Sequence, residues 1–122
     1  MATLSYTSLK NAGILFSSAS MTASADGGDE FPNDLQTYLG VYGTGSCTPG
    51  TTCSIVANGL TTMSYGGNDI PILPINIVFT GGDEDEVYIL HVPTVYNNAT
   101  GSAKVDYEDY TFHKVLVFKN LD

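Results

Sequence analysis

The sequence predicts an all-β fold: a single antiparallel β-sandwich, jelly-roll or immunoglobulin-like, of about eight strands with an extended N-terminal arm. Three observations carry this. Thirteen Gly, five Pro and many Thr, Ser and Asn punctuate short apolar runs, as in a sandwich rather than a helix bundle. Several of those runs alternate apolar and polar residues with the period of two that places a strand's side chains on opposite faces. Good helix formers are scarce, with one Gln and no Arg in the chain. At 122 residues the chain reads as one domain, residues 1–122, able to bury roughly two thirds of its unfolded surface.

The last third organises the rest. In Ser102–Tyr107, Ala103, Val105 and Tyr107 alternate with Ser102, Lys104 and Asp106, which predicts a half-buried strand. After the polar break Glu108-Asp109, the run from Tyr110 to Lys119 places Phe112, Lys114, Leu116 and Phe118 on one face. His113, Val115 and Val117 fall on the other, so both faces are apolar at the centre and the strand is expected to be sandwiched.

Earlier elements follow in order. Leu4, Tyr6 and Leu9 lie in a weakly patterned segment, residues 1–11, that suits either a first edge strand or an extended arm. Gly13–Phe16 is a short apolar run, and Ser17–Ala25 suits a strand or a surface loop. Asp26–Asp29 predicts a turn. Thr37–Tyr42 predicts a strand with Leu39 and Val41 on one face and its two tyrosines on the other. Cys53–Ala57 and Thr61–Tyr65 flank Asn58-Gly59, a type I′ hairpin signal, and read as a strand and its return. Pro71 and Pro74 imply an extended, edge-like passage. Ile75, Ile77 and Phe79 point inward, and Val87–Val92 is a strand that Pro93 ends.

Charge and hydropathy exclude several functions. Thirteen acids against four lysines give −9, with no basic stripe for nucleic acid or anionic lipid. No apolar run approaches the roughly 20 residues of a membrane span. The short patch at Gly13–Phe16 falls below a secretory h-region, so a cytoplasmically made, soluble chain is expected.

Candidate sites are few. Cys47 and Cys53 bracket a Pro49-Gly50 turn that brings them near enough for a disulfide; two free thiols remain equally open, and zinc would need two further ligands. Asp83-Glu84-Asp85-Glu86 offers oxygens for calcium but lacks EF-hand spacing, and reads as a solvated turn. His91 and His113 lack a nucleophile elbow and read as satisfied or surface histidines. Asn98-Ala99-Thr100 matches a glycosylation sequon and reads as loop. Eight tyrosines with no tryptophan point to protein contact or simply to pleated surfaces. Catalysis and cofactors are not expected.

The order of these features resembles a family of tailed-bacteriophage capsid decoration (cement) proteins, short β-sandwich virion proteins. The resemblance rests on Gly28-Asp29-Glu30-Phe31-Pro32-Asn33-Asp34 leading into Leu39-Gly40-Val41, then Val87–Pro93, Tyr96-Asn97-Asn98, Ala103–Tyr107 and Thr111–Phe118. It covers residues 26–119 with gaps; Leu35 stands where the family turns with glycine, and the stretch with Cys47 and Cys53 has no counterpart. It implies a sandwich on the outside of an icosahedral head, made in the host cytoplasm, binding the major capsid protein and its own copies as a homotrimer. Leu4, Tyr6 and Leu9 of the arm and Phe31, Pro32, Asn33 and Asp34 of the loop are then the expected contact residues. Another virion subunit (tail tube, neck or fibre base) or a carbohydrate-binding sandwich are the alternatives.

Overall fold

A computed structural model describes residues 2–9 and 21–120, and of Ser8, Leu9 and Asn120 the backbone alone; the Gly13–Phe16 run lies outside the described residues. The described chain is all-β, with twelve strands rather than about eight. They are β1 (Ala2–Thr3), β2 (Tyr6–Leu9), β3 (Thr22–Ala23), β4 (Asp29–Pro32), β5 (Thr37–Gly43) and β6 (Thr52–Val56). Then come β7 (Thr62–Tyr65), β8 (Asn68–Pro71), β9 (Ile75–Val78), β10 (Glu86–Leu90), β11 (Ser102–Tyr107) and β12 (His113–Asn120). The surplus over the expectation consists of two-residue strands and the β7–β8 pair.

The first sheet runs β1-β4-β11-β6-β9 and the second β10-β5-β12-β2, with β3 also paired to β12. Most pairings are antiparallel, but β1 runs parallel to β4 and β2 parallel to β12. One core draws on both sheets: Phe31, Ile55, Ile77, Ala103 and Val105 from the first meet Leu39, Val41, Val115 and Val117 from the second. Each fully buried Val, Leu or Phe there stabilises the fold by about 1.5–3 kcal/mol relative to exposure.

The alternation read from the sequence places these faces. In β5, Leu39 and Val41 enter the core while Tyr38 and Tyr42 turn outward. In β12, Val115 and Val117 face the core with His113, and Leu116 and Phe118 form a second buried cluster with Met21 on the opposite face. Pairing on both edges as well as burial on both faces makes β12 the central strand.

Two expectations are corrected. Asn58-Gly59 is not a hairpin turn, because β6 already pairs with β11 on one edge and β9 on the other, leaving no edge for a return. Asn58 instead ties to another loop, its amide N–H donating to the Tyr96 carbonyl at 3.0 Å and its Nδ2 to Ser102 at 3.1 Å. The hairpin is β7–β8, closed by Gly66-Gly67, whose φ values of 60° and 83° are those a type I′ turn demands. Second, the N-terminal segment is not a free arm. It crosses from the first sheet to the second, anchored by Leu4, whose side chain is buried and whose N–H donates to the Glu30 carbonyl at 2.7 Å.

Candidate interaction surface

The residues expected to make contacts divide sharply. Leu4 (8% exposed), Phe31 (1%) and Asn33 (4%) lie in the interior, so they shape the surface without forming it. Asn33 donates through Nδ2 to the Val92 carbonyl at 3.0 Å and to Oδ1 of Asn97 at 2.9 Å, which holds the loop down. Pro32 is half-buried; Tyr6 and Asp34 remain at the surface. Lys119 joins those two, its Nζ 2.7 Å from Asp34 Oδ2 and 4.5 Å from the Tyr6 ring centre. That Lys119 hydrogen bond, helped by the Gln36 amide, holds the Asp34 carboxyl down at about 2. The side chain of Leu9 lies outside the description.

The other sequence candidates fall into structural roles. Thr48-Pro49-Gly50-Thr51 forms a type II turn, with the Thr51 N–H donating to the Thr48 carbonyl at 3.0 Å and Gly50 at φ 87°. The bridge considered across it is not formed: Cys47 and Cys53 are both free thiols, packed into the core as small apolar side chains. Burial, with Cys47 and Glu108 adding to it, pushes the Cys53 thiol up to about 12. In the acidic turn, Asp85 accepts from the Gly45 N–H at 2.8 Å, and Glu86 accepts from the Thr80 N–H, the Thr80 hydroxyl and the Tyr88 hydroxyl. Those bonds, the Thr80 hydroxyl first, lower the Glu86 carboxyl below its ordinary value. Asn98 closes its own loop, Oδ1 accepting from the N–H groups of Thr100 and Ser102.

His91 is at the surface, donating from Nε2 to the Leu35 carbonyl at 3.0 Å and set edge-on to Tyr38. His113 is buried between Phe79 and Tyr107. Its Nδ1 lies 3.2 Å from the Tyr42 carbonyl; a carbonyl only accepts, so Nδ1 carries the proton, and buried Nε2 has no partner among the described residues. Burial lowers the His113 pKa. Beside it, the Tyr107 hydroxyl donates to buried Asp29 Oδ2 at 2.6 Å, and burial followed by that bond raises the Tyr107 pKa.

Among the described residues, two open depressions of about 290 Å³ each mark the surface, one along Tyr42, Thr44, Thr111, Phe112, His113 and Lys114, the other between Leu60 and Asn97-Asn98-Ala99. Both are open to solvent, and Lys114 is the charged residue in their lining. No cluster of three His, Cys, Asp or Glu placed to hold a metal ion occurs among the described residues.

What the surface does carry is apolar. On the β7–β8 hairpin every residue is exposed. Met63 pairs with Ile70 and Tyr65 with Asn68, so Met63, Tyr65 and Ile70 share one face (43%, 77% and 38% exposed), opposite Thr62, Ser64, Asp69 and Pro71. Leu60 and Leu73 flank its base at 66% and 68%. A second patch lies along the edge of the second sheet, where Val87 and Ile89 of β10 stand exposed beside Tyr38. Tyr38 stacks on Phe118 at 5.4 Å. Of the eight tyrosines, Tyr6, Tyr38, Tyr65, Tyr88 and Tyr110 are exposed. The hairpin face escaped sequence reasoning, although Met63 and Tyr65 alternating with Thr62 and Ser64 ahead of Gly66-Gly67 carry the signal.

Comparisons with protein-family models, with curated proteins and with solved structures found no match.

Proposed function

We propose that this chain is a non-catalytic structural protein: a jelly-roll or immunoglobulin-like sandwich that decorates the outer surface of an icosahedral phage head and stabilises capsomer junctions. The major capsid protein is its partner in this reading, and the virion its location. One observation carries the adhesive role. Large apolar and aromatic side chains stand exposed in patches, at the β7–β8 hairpin and along β10, on a chain that otherwise spends its surface on acids. Monomers that work alone rarely expose such patches, and patches rimmed by polar residues mark protein contact. The −9 charge suits an exterior position away from packaged DNA, and many weak contacts on one lattice act together. The virion assignment itself rests on the family resemblance.

The test is cosedimentation of the purified chain with heads assembled from the major capsid protein of the virion that carries it. Many copies bound per head, and heads that then resist heating better, are the expected result. A few copies at one vertex would move the assignment to the neck. No association at all would end it.

A further inference from the structure

We infer that a second copy of this chain pairs with β7 along its free edge, antiparallel and about a two-fold axis, extending the hairpin into a four-stranded sheet β8-β7-β7-β8. The inference does not rest on the virion reading, and its two-fold pair differs from the homotrimer that the resemblance implies. It starts from the instability of what is seen. A two-stranded hairpin with water on both faces is marginal, and three or more strands are needed for independent stability. Here residues 59–71 are exposed without interruption, and a Cβ added at Gly66 or Gly67 would meet nothing within 4 Å.

The edge that remains open can be identified. With a two-residue turn, Tyr65 and Asn68 form the closing hydrogen-bonded pair, and the pattern alternates from there. Met63 and Ile70 are therefore bonded within the hairpin, while Thr62 and Ser64 of β7, and Asp69 and Pro71 of β8, turn their backbone groups outward. On β8 that outer edge is blunted in the two customary ways, by a charge and by a proline with no N–H. On β7 it is not: Thr62-Met63-Ser64-Tyr65 has no charge and no proline, and no described residue pairs with it.

Three other edge strands are guarded. β1 is two residues long, β10 begins at Glu86 behind the acids 83–85, and Tyr88 reaches over the end of β9 to the Val78 carbonyl at 3.4 Å.

A copy of the same strand is the occupant that fits. Centred on Met63, the pairing sets Thr62 opposite Ser64 twice, a hydroxyl pair of the kind that stabilises cross-strand contacts, and Met63 opposite the Met63 of the second copy. It also sets Tyr65 opposite Thr61 of the second copy, covering Tyr65, the most exposed apolar side chain of this half of the hairpin.

Charge points the same way. Asp69 is the only charged residue in 57–74, and twelve of the thirteen acids lie outside that stretch. Across the joined sheet the two Asp69 strands are three strand spacings, about 14 Å, apart, which exceeds the screening length of roughly 8 Å at physiological salt. A chain at −9 can approach its copy through this segment and few others.

The test is sedimentation over a concentration series, with amide exchange on the same samples. The wild-type chain is expected to double its mass as concentration rises, with the Thr62 and Ser64 amides gaining protection in step and the Met63 amide protected throughout. Ser64→Pro removes an outward N–H without touching the bonds inside the hairpin, and should weaken association at least tenfold. Asp69→Asn, on the far edge, should leave it in place or tighten it slightly. Met63 protection in Ser64→Pro reports whether the hairpin is intact, and Thr62→Pro repeats the block one position away. A mass that stays monomeric at every concentration would overturn the inference. So would wild-type Thr62 and Ser64 amides whose exchange does not slow with concentration, or association that survives both proline variants.

Discussion

Tyr107 on β11 donates its phenolic hydrogen to Oδ2 of Asp29 on β4 at 2.6 Å, although the two residues are 78 positions apart in the chain. Asp29 has no exposed surface, and among the described residues its Oδ1 has no partner, while Oδ2 also accepts from the Ala25 N–H at 3.2 Å. Removing the hydroxyl therefore leaves a buried acceptor under-satisfied, which is the costly way to lose a hydrogen bond. Tyr107→Phe should lower the unfolding free energy by about 2 kcal/mol. Exposed Tyr110→Phe should stay within about 0.5 kcal/mol of wild type. Urea midpoints at unchanged slope measure both, and equal effects would show that the Asp29 bond contributes nothing special.

Alkaline pH should weaken the fold. Burial raises both the Cys53 thiol, to about 12, and the Tyr107 phenol, so the folded chain holds those protons after the unfolded chain has released them. A raised folded pKa gives stability that is whole below the unfolded value and lost above it. Stability should thus hold to about pH 9, where an unfolded thiol ionises, and then decline steadily toward pH 12. Midpoints taken across that window in wild type and Tyr107→Phe check this. The variant should show the shallower slope.

On the acid side the sign reverses. His113 is buried as the neutral Nδ1–H form and its pKa is lowered, so the unfolded chain takes up a proton first. Stability is then present above about pH 6.5 and lost as pH falls below it. Asp34, held at about 2 by Lys119, adds a second loss between its ordinary value of 3.8 and about 2, a small one because its side chain is half exposed. His113→Phe, which keeps a ring between Phe79 and Tyr107, should flatten the first decline and leave the second. Thermal midpoints from about pH 7 to about pH 2 separate the two limbs. A wild-type profile with no decline below pH 6.5 would contradict the burial argument.

How far the sequence reached follows from range. The faces of β5, β11 and β12 were legible because period two is a local property, and Leu39, Val41, Ala103, Val105, Val115 and Val117 all lie inward as their spacing requires. Asn58-Gly59 misled because turn chemistry is also local. It cannot register that β11 and β9 already occupy both edges of β6, so the turn falls instead at Gly66-Gly67. Two of the expected contact residues are interior for a related reason. Phe31 and Asn33 sit in a polar, turn-rich stretch that looks superficial, yet β11 and the Asn97 loop cover them from 60 or more positions away. The burial of Asp29 was likewise unreadable, since its partner Tyr107 is met only on folding, and for His113 the strand face was legible but its partner Tyr42 was not. What was legible at the candidate surface was the tyrosine excess. What was not was which tyrosines a core would claim: Tyr96 is buried, Tyr65 is not.

Packing between Gly43 and Phe79 supplies the sharpest stability test. A Cβ at Gly43, the end of β5, would lie 2.7 Å from Phe79 Cε1, closer than real Cβ contacts allow. The ring has nowhere to retreat: it is fully buried, with His113 at 4.8 Å and Tyr88 edge-on at 5.2 Å. Gly43→Ala should therefore cost about 1–3 kcal/mol through overpacking, although alanine favours neither strand nor loop against glycine by that much. Phe79→Leu alone should also destabilise, by leaving part of the ring's volume empty. In the double variant the new methyl occupies space the smaller side chain vacates, so the combined loss should fall short of the sum by at least about 0.5 kcal/mol. Strict additivity in urea denaturation would mean the two residues do not compete for the same volume, and the close approach of β5 to Phe79 would have to be abandoned.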